Sequence, residues 1–267
     1  MEGFIRNERG LKKVDLSLNI EPVLTNTDFY DRVKIAADLG IKAVEFWDPQ
    51  EKNIAKLGAV AAANNIRIIG CTMIGIFKYA LEMPYPVLLK AATETIHLMK
   101  ECGCQAMIIF AGDREAARGA DSQKNIIIEN LKRLSDLAEK EKVTINVEPL
   151  NSLVECKGHY LDSSHVGFEI VKCVNSDYIK MVYDVYHMQV MEGNIIDTIT
   201  KNIDLISHFH TAGVPGRNEL FLGDNDYRNI MKAIEKTGYH GYFGLEYWPS
   251  YEDHLKSLTD VLSYLRG

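Results

Sequence analysis

The chain has 267 residues, 46% hydrophobic and 25% charged, the balance of an ordinary folded protein with a sizeable core. Its net charge of −7, without any long lysine- or arginine-rich block, argues against nucleic acid as a partner. No apolar run approaches the ~20 residues of a membrane span, and the opening MEGFIRNERGLKKVD lacks the apolar centre of a signal peptide, so no membrane partner and a cytoplasmic location are expected.

The first β-rich segment is VDLSLNI (14–20). TDFYDRVKIAADLG (27–40) then sets Phe29, Val33, Ala36 and Leu39 one or two turns apart, as on a helix face. Asn26 or Thr27 can cap its start and Gly40 can end it. AVEFW (43–47), IRIIGCT (66–72) and AMIIFAG (106–112) follow as strands, with Cys102 and Cys104 flanking Gly103 at a helix end. NIIIENLKRLSDLAEKEK (125–142) is again helical, and TINVEP (144–149), IKMVYDV (179–185) and SHFHTAG (207–213) are strands. A helix over DYRNIMKAIEKTG (226–238) precedes the last strand, YFGLEYW (242–248), and YEDHLKSLTDVLSYLRG forms the eighth helix.

Eight strands alternating with helices, in a chain near the ~250 residues usual for the architecture, predict an α/β fold: a single (β/α)8 TIM barrel. No Pro/Gly/Ser-rich linker divides the sequence, so one domain is expected over 1–267. A doubly wound open sheet would more often carry a glycine-rich first turn, and VDLSLNIEPVLTN has none. The five cysteines, an odd number without a repeating framework, read as free thiols in a reducing compartment. Cys102 and Cys104 read as structural thiols rather than a metal or redox pair.

In such barrels the working residues sit at the C-terminal ends of strands. Those ends in the second half carry Glu148 (NVEPLN), Asp184 (VYDVYH), His210 (HFHTAG) and Glu246 (GLEYWP), at separations of 36, 26 and 36 residues, each a plausible βα step. Two like charges 4 Å apart repel by about 4 kcal/mol at an effective dielectric near 20, so three carboxylates in one cavity must hold protons or bind a cation. Oxygen-rich ligands with a single imidazole suit Mn²⁺ or Mg²⁺, with Co²⁺ or Zn²⁺ as alternatives, and do not resemble a thiolate zinc site.

Each residue also has a plainer role open to it. Glu148 could orient the turn before Pro149, Asp184 could cap the next turn, His210 could bond a carbonyl, and Glu246 could pair with Arg217. Four plain roles at four consecutive strand ends is the less economical account. His208 shares a face with His210, one layer deeper, as an interior or supporting residue. The Gly-Val-Pro-Gly turn brings Arg217 back to the pocket, where it can grip a substrate carboxylate or hydroxyl; pairing with Glu219 is the alternative. Glu45 and Trp47, on one face at the end of AVEFW, can line the pocket, as can Phe110.

Together EPLN, YDVYHMQ, HTAGVPGR and GYFGLEYWP resemble the xylose-isomerase-like barrel superfamily over nearly the whole chain. Within it they are most similar to the hydroxypyruvate isomerase group and its neighbours, the ketose 3-epimerases. The resemblance implies a metal quartet of Glu148, Asp184, His210 and Glu246 around one divalent ion. It assigns acid/base work to Glu148 and Glu246 and substrate contacts to His187 and Arg217, with Gln189 a weaker candidate.

The implied activity is an isomerase that moves a proton next to a carbonyl through an enediolate, on hydroxypyruvate or a related small hydroxycarbonyl substrate. The alternative is a ketose 3-epimerase of the tagatose/psicose type. A polyol-derivative dehydratase, an inactive binding barrel and a DNA-repair endonuclease are more remote. A homo-oligomer is expected from the resemblance alone. Two departures stand out. Hydroxypyruvate isomerases usually have glutamine where His210 stands, whereas the ketose epimerases have histidine. The epimerase pattern also has a second glutamate soon after the first metal glutamate, where Val154 and Glu155 stand here.

Overall fold

The computed structural model describes residues 13–76, 78 and 80–267. The part of the expected domain over residues 1–12, and most of the charged opening read from it, lie outside the described residues.

Eight strands form: β1 (Asp15–Asn19), β2 (Ala43–Phe46), β3 (Arg67–Thr72), β4 (Ala106–Ile109), β5 (Thr144–Val147), β6 (Ile179–Asp184), β7 (Ile206–Thr211) and β8 (Tyr242–Leu245). They pair in chain order as a closed barrel, and the pairings are parallel. The sheet has no edge, because β1 pairs with β8 through Leu16↔Phe243 and Leu18↔Leu245. The (β/α)8 barrel expected from the alternation is the fold observed. Strands buried on both faces explain apolar runs such as Met107, Ile108 and Ile109, all buried in β4.

The helices α1 (Asp31–Asp38), α2 (Ile54–Ala63), α3 (Tyr85–Cys102), α4 (Ala120–Glu141) and α5 (Ser164–Val174) run between successive strands from β1 to β6. Between β6 and β7 lie α6 (Val185–Met191) and α7 (Ile195–Lys201), then α8 (Tyr227–Thr237) before β8 and α9 (His254–Arg266) after it. Each packs an apolar stripe on the barrel. On α4 the buried stripe is Ile127, Leu131, Leu134 and Ala138. Truncating Leu131 to Ala would cost about 2–5 kcal/mol.

The first helix begins at Asp31, with Tyr30 as its N-cap, and not at Asn26 or Thr27. Local hydrogen bonds explain the delay. Thr27 N donates to Leu24 O at 3.0 Å, and Asp28 Oδ1 accepts Tyr30 N–H at 3.1 Å, which holds turns ahead of the helix. Gly40, just past the helix end, adopts φ +75. Asp226 caps α8 through Asn229 N–H and Gly238 follows it at φ +81, at the two ends of the stretch 226–238 expected to be helical.

Candidate active site and metal centre

Barrel closure brings the four strand-end residues together. Glu148 and Glu246 follow β5 and β8 by one residue, Asp184 is the last residue of β6, and His210 is next to last in β7. All four are buried. One ligand atom from each lies within 4.8 Å of the others.

The three carboxylates are anchored in different ways. Asp184 Oδ1 caps α6, accepting Tyr186 N–H at 2.7 Å and His187 N–H at 3.3 Å. Its Oδ2 is turned to Arg217 Nη2 at 3.4 Å. Glu246 Oε1 accepts Asn19 Nδ2–H at 2.6 Å and Trp47 Nε1–H at 3.1 Å, while Oε2 meets Arg217 Nη2 at 2.6 Å. Glu148 Oε1 lies 2.8 Å from His210 Nδ1, and Glu246 Oε2 lies 3.4 Å from the same nitrogen. Two plainer roles raised by the sequence, a cap at Asp184 and an Arg217 pair at Glu246, are therefore present alongside the cluster rather than instead of it.

Crowding sets the protonation of this group. Burial pushes the Asp184 carboxyl up to about 7; Arg217 opposes the shift and Glu148 and Glu246 add to it. Burial also raises Glu148, against the pull of His210. Burial disfavours the His210 imidazolium, but Glu246, Glu45 and Glu148 outweigh it and hold the ring protonated well above its usual range. A divalent cation would reverse this balance, favouring three ionised carboxylates and displacing a proton from the imidazole. Three carboxylates and one imidazole are a donor set that fits such a cation.

His187 and Arg217 border the quartet. The Asn151 backbone N–H donates to His187 Nδ1 at 3.0 Å, so the neutral ring carries its proton on Nε2, 3.5 Å from Asp184 Oδ2. Burial, then the nearby Arg217, keeps that ring neutral by lowering its pKa well below normal. Arg217 stands at φ +56, a left-handed backbone held where its carbonyl accepts Trp248 N–H at 2.8 Å. Its Nη1 donates to Glu155 Oε2 at 2.8 Å, and Tyr186 Oη donates to Glu155 Oε1 at 3.1 Å. Glu219 is not its partner: that carboxylate is buried and accepts from Ser250 and Ser257. Gln189 does not join the quartet; it lines a separate depression with Asn194 and Asp226.

Above the quartet opens a cleft of about 800 Å³, walled by Trp47, Trp248, Phe110, Ile76 and Leu150. The two indoles meet edge-on with centroids 5.9 Å apart.

Residues 33–266 match the family described as Xylose isomerase-like TIM barrel. The chain belongs to this family. Hydroxypyruvate isomerase of Escherichia coli is 27% identical over 249 residues, covering 87% of this chain and 93% of the relative. 2-Oxo-tetronate isomerase of Cupriavidus necator is 28% identical over 253 residues, covering 86% and 91%. Among solved structures, D-psicose 3-epimerase with D-tagatose from Clostridium cellulolyticum H10 superposes with a TM-score of 0.75 at 18% identity, covering 94% of this chain and 98% of that one. The fold is thus shared with an epimerase.

In this xylose isomerase-like barrel, Asn19, Asn151 and the full role of Glu45 were missed by sequence reasoning. Asn19 ends β1 and Glu45 lies in β2, so their strand positions were a usable signal. Of the cysteines, Cys156 lines the cleft, and none belongs to the quartet. Cys71 and Cys104 are buried and Cys102 half-buried, burial pushes the Cys102 thiol up to about 12, and the residue groups able to hold a metal, among the described residues, contain no cysteine.

Proposed function

We propose that the chain is a divalent-metal-dependent isomerase that moves a proton beside a carbonyl, acting on hydroxypyruvate or a related short hydroxycarbonyl acid. The observation that carries this reading is the quartet Glu148, Asp184, His210 and Glu246, buried and within mutual ligation reach at the rim of the cleft. The isomerase names of the two relatives support the reaction class.

Glu148, Asp184, His210 and Glu246 would hold the ion, Mn²⁺ or Mg²⁺ in preference to Co²⁺ or Zn²⁺. Such an ion polarises carbonyl and hydroxyl oxygens and stabilises the charge of an enediolate. The chain's own residues then divide the proton work. Glu246 keeps Oε1 fixed by Asn19 and Trp47, which aims Oε2 at the reacting carbon as base. Either Glu246 itself or Glu148, the second acid/base carboxylate, then returns the proton to the neighbouring carbon. His187 offers Nε2–H to a substrate oxygen, and Arg217 exchanges part of its hold on Glu155 for a substrate carboxylate.

The test uses purified Mn²⁺-loaded protein with hydroxypyruvate in deuterated water. Isomerised product and deuterium at the carbon next to the carbonyl are expected; neither appearing would reject the scheme for that substrate. A ketose 3-epimerase is the second reading, favoured by histidine rather than glutamine at 210. Epimerised ketohexose with inverted C3, and no change in hydroxypyruvate, would decide for it.

A further inference from the structure

The second ring nitrogen of His210 faces away from the quartet into a buried cluster. His210 Nε2 lies 3.0 Å from Glu45 Oε2. His208 Nε2 lies 3.1 Å from Glu45 Oε1, and Ser17 Oγ donates to the same oxygen at 3.2 Å. Glu45 is only 2% exposed, and the two imidazoles meet edge-on at 5.0 Å. Gly244 of β8 leaves the room they occupy: a Cβ there would lie 2.8 Å from both Glu45 Oε1 and His208 Nε2.

We propose that Glu45 is a positioning residue that fixes the ring of His210, committing its Nε2–H to the carboxylate so that Nδ1 faces the metal centre. The proposal rests on reading the quartet as a metal centre. An ionised carboxylate only accepts hydrogen bonds, so Nε2 of His210 must carry the proton between them. That leaves Nδ1, 2.8 Å from Glu148 Oε1, as the atom whose lone pair an ion takes. A ligating histidine commonly donates its other N–H to a carboxylate, and loss of that partner weakens metal binding. Both ring nitrogens face carboxylates, Glu148 on the Nδ1 side and Glu45 on the Nε2 side. Glu45, from β2 three strands away through the closed seam, lies outside the quartet and so would keep the Nε2 proton when an ion takes Nδ1.

Glu45, His208 and His210 also place ligand atoms within 4.8 Å of one another, so a second ion is the competing use of the same cluster. The experiment separates the two. In the full chain, Glu45→Gln keeps the shape but replaces one accepting oxygen by a donating amide. Mn²⁺ titration should show one ion per wild-type chain and binding about 10–100-fold weaker in the variant. In ¹⁵N-histidine-labelled protein, His210 should show a slowly exchanging, downfield Nε2–H proton that exchanges at least about tenfold faster in the variant; His210→Gln assigns the signal. Binding within twofold of wild type, absence of that proton from wild type, or two ions per chain with one lost in the variant would each overturn the proposal. If Glu45→Gln does not fold, the wild-type proton signal decides alone. If wild type binds no Mn²⁺, the metal reading fails, while the same signal in the metal-free chain still decides whether Glu45 holds the ring.

Discussion

The rim that follows β5 to β8 supplies Glu148, Asp184, His210 and Glu246, whereas β1, β2 and the residue beyond supply Asn19, Glu45 and Trp47. The first set converges on one point and carries the charge; the second set touches those charges from behind. Asn19 and Trp47 hold one oxygen of Glu246, and Glu45 holds the far nitrogen of His210. The difference teaches that one arc of the barrel presents the candidate ligands, while the arc beside it fixes which atoms of Glu246 and His210 are presented. Rigid strands on both sides make that division workable, since a carboxylate misplaced by 1 Å loses much of its catalytic use.

This contrast can be broken at its strongest point. Glu246→Gln, on the charged arc, should lower deuterium exchange and turnover by about 10³-fold or more, read by NMR of the product. Retained exchange would remove Glu246 from the proton-transfer role. Asp184→Asn leaves a side chain that can still cap α6 but lacks the second anionic oxygen. Its Mn²⁺ affinity should fall by at least about 100-fold, beyond what loss of a supporting residue costs, with thermal unfolding little changed. A drop in unfolding temperature instead would show that the cap is its main duty.

On the supporting arc effects should be smaller. Trp47→Phe deletes one of two donors to Glu246 Oε1. Leaving that buried acceptor short of a partner costs about 1–3 kcal/mol, or roughly 5–100-fold in kcat, with KM nearly constant. A change confined to KM would make the indole a cleft wall only. Glu155→Gln at the exposed side of Arg217 should alter KM by about fivefold at most, as expected for an exposed ion pair.

The smallest effect concerns an acid of the first half that has no part in the quartet. Glu82 sits in the turn before α3, with buried Oε2 unpartnered, and burial lifts its carboxyl to about 7 from the ordinary 4.5. A raised folded-state pKa means that its contribution is fully present below the ordinary value and is lost as pH climbs through about 7. Glu82→Gln should therefore match wild type near pH 4 and gain a few degrees in Tm near pH 8. Equal Tm values at both ends would show that the group is well solvated.

The charged arc was legible because each of its residues ends an apolar run one βα step from the next. Its supports were harder to read. Asn19 and Glu246 are 227 positions apart, and Glu45 and His210 165, so only ring closure makes them neighbours. The alternative pairing of Arg217 with its near neighbour Glu219 is not formed: Ser250 and Ser257 engage Glu219, and Glu155 and Glu246 take the arginine. Among the helices, α2 escaped notice: IAKLGAVAAA is apolar almost all round and offers little amphipathic contrast. Residues 185–191 were too few for periodicity to declare a helix.

The seam where the last strand meets the first has a consequence for how the chain acquires its chemistry. A nascent polypeptide grows at about 5–20 residues per second, so Asn19 waits roughly 10–45 s before Glu246 is synthesised. Until then three of the four candidate ligands exist, but the barrel that would hold them has an open side. On the proposed function, metal capture would thereby be tied to completion of the whole ring, and a truncated product ending before β8 would be neither closed nor able to assemble the centre.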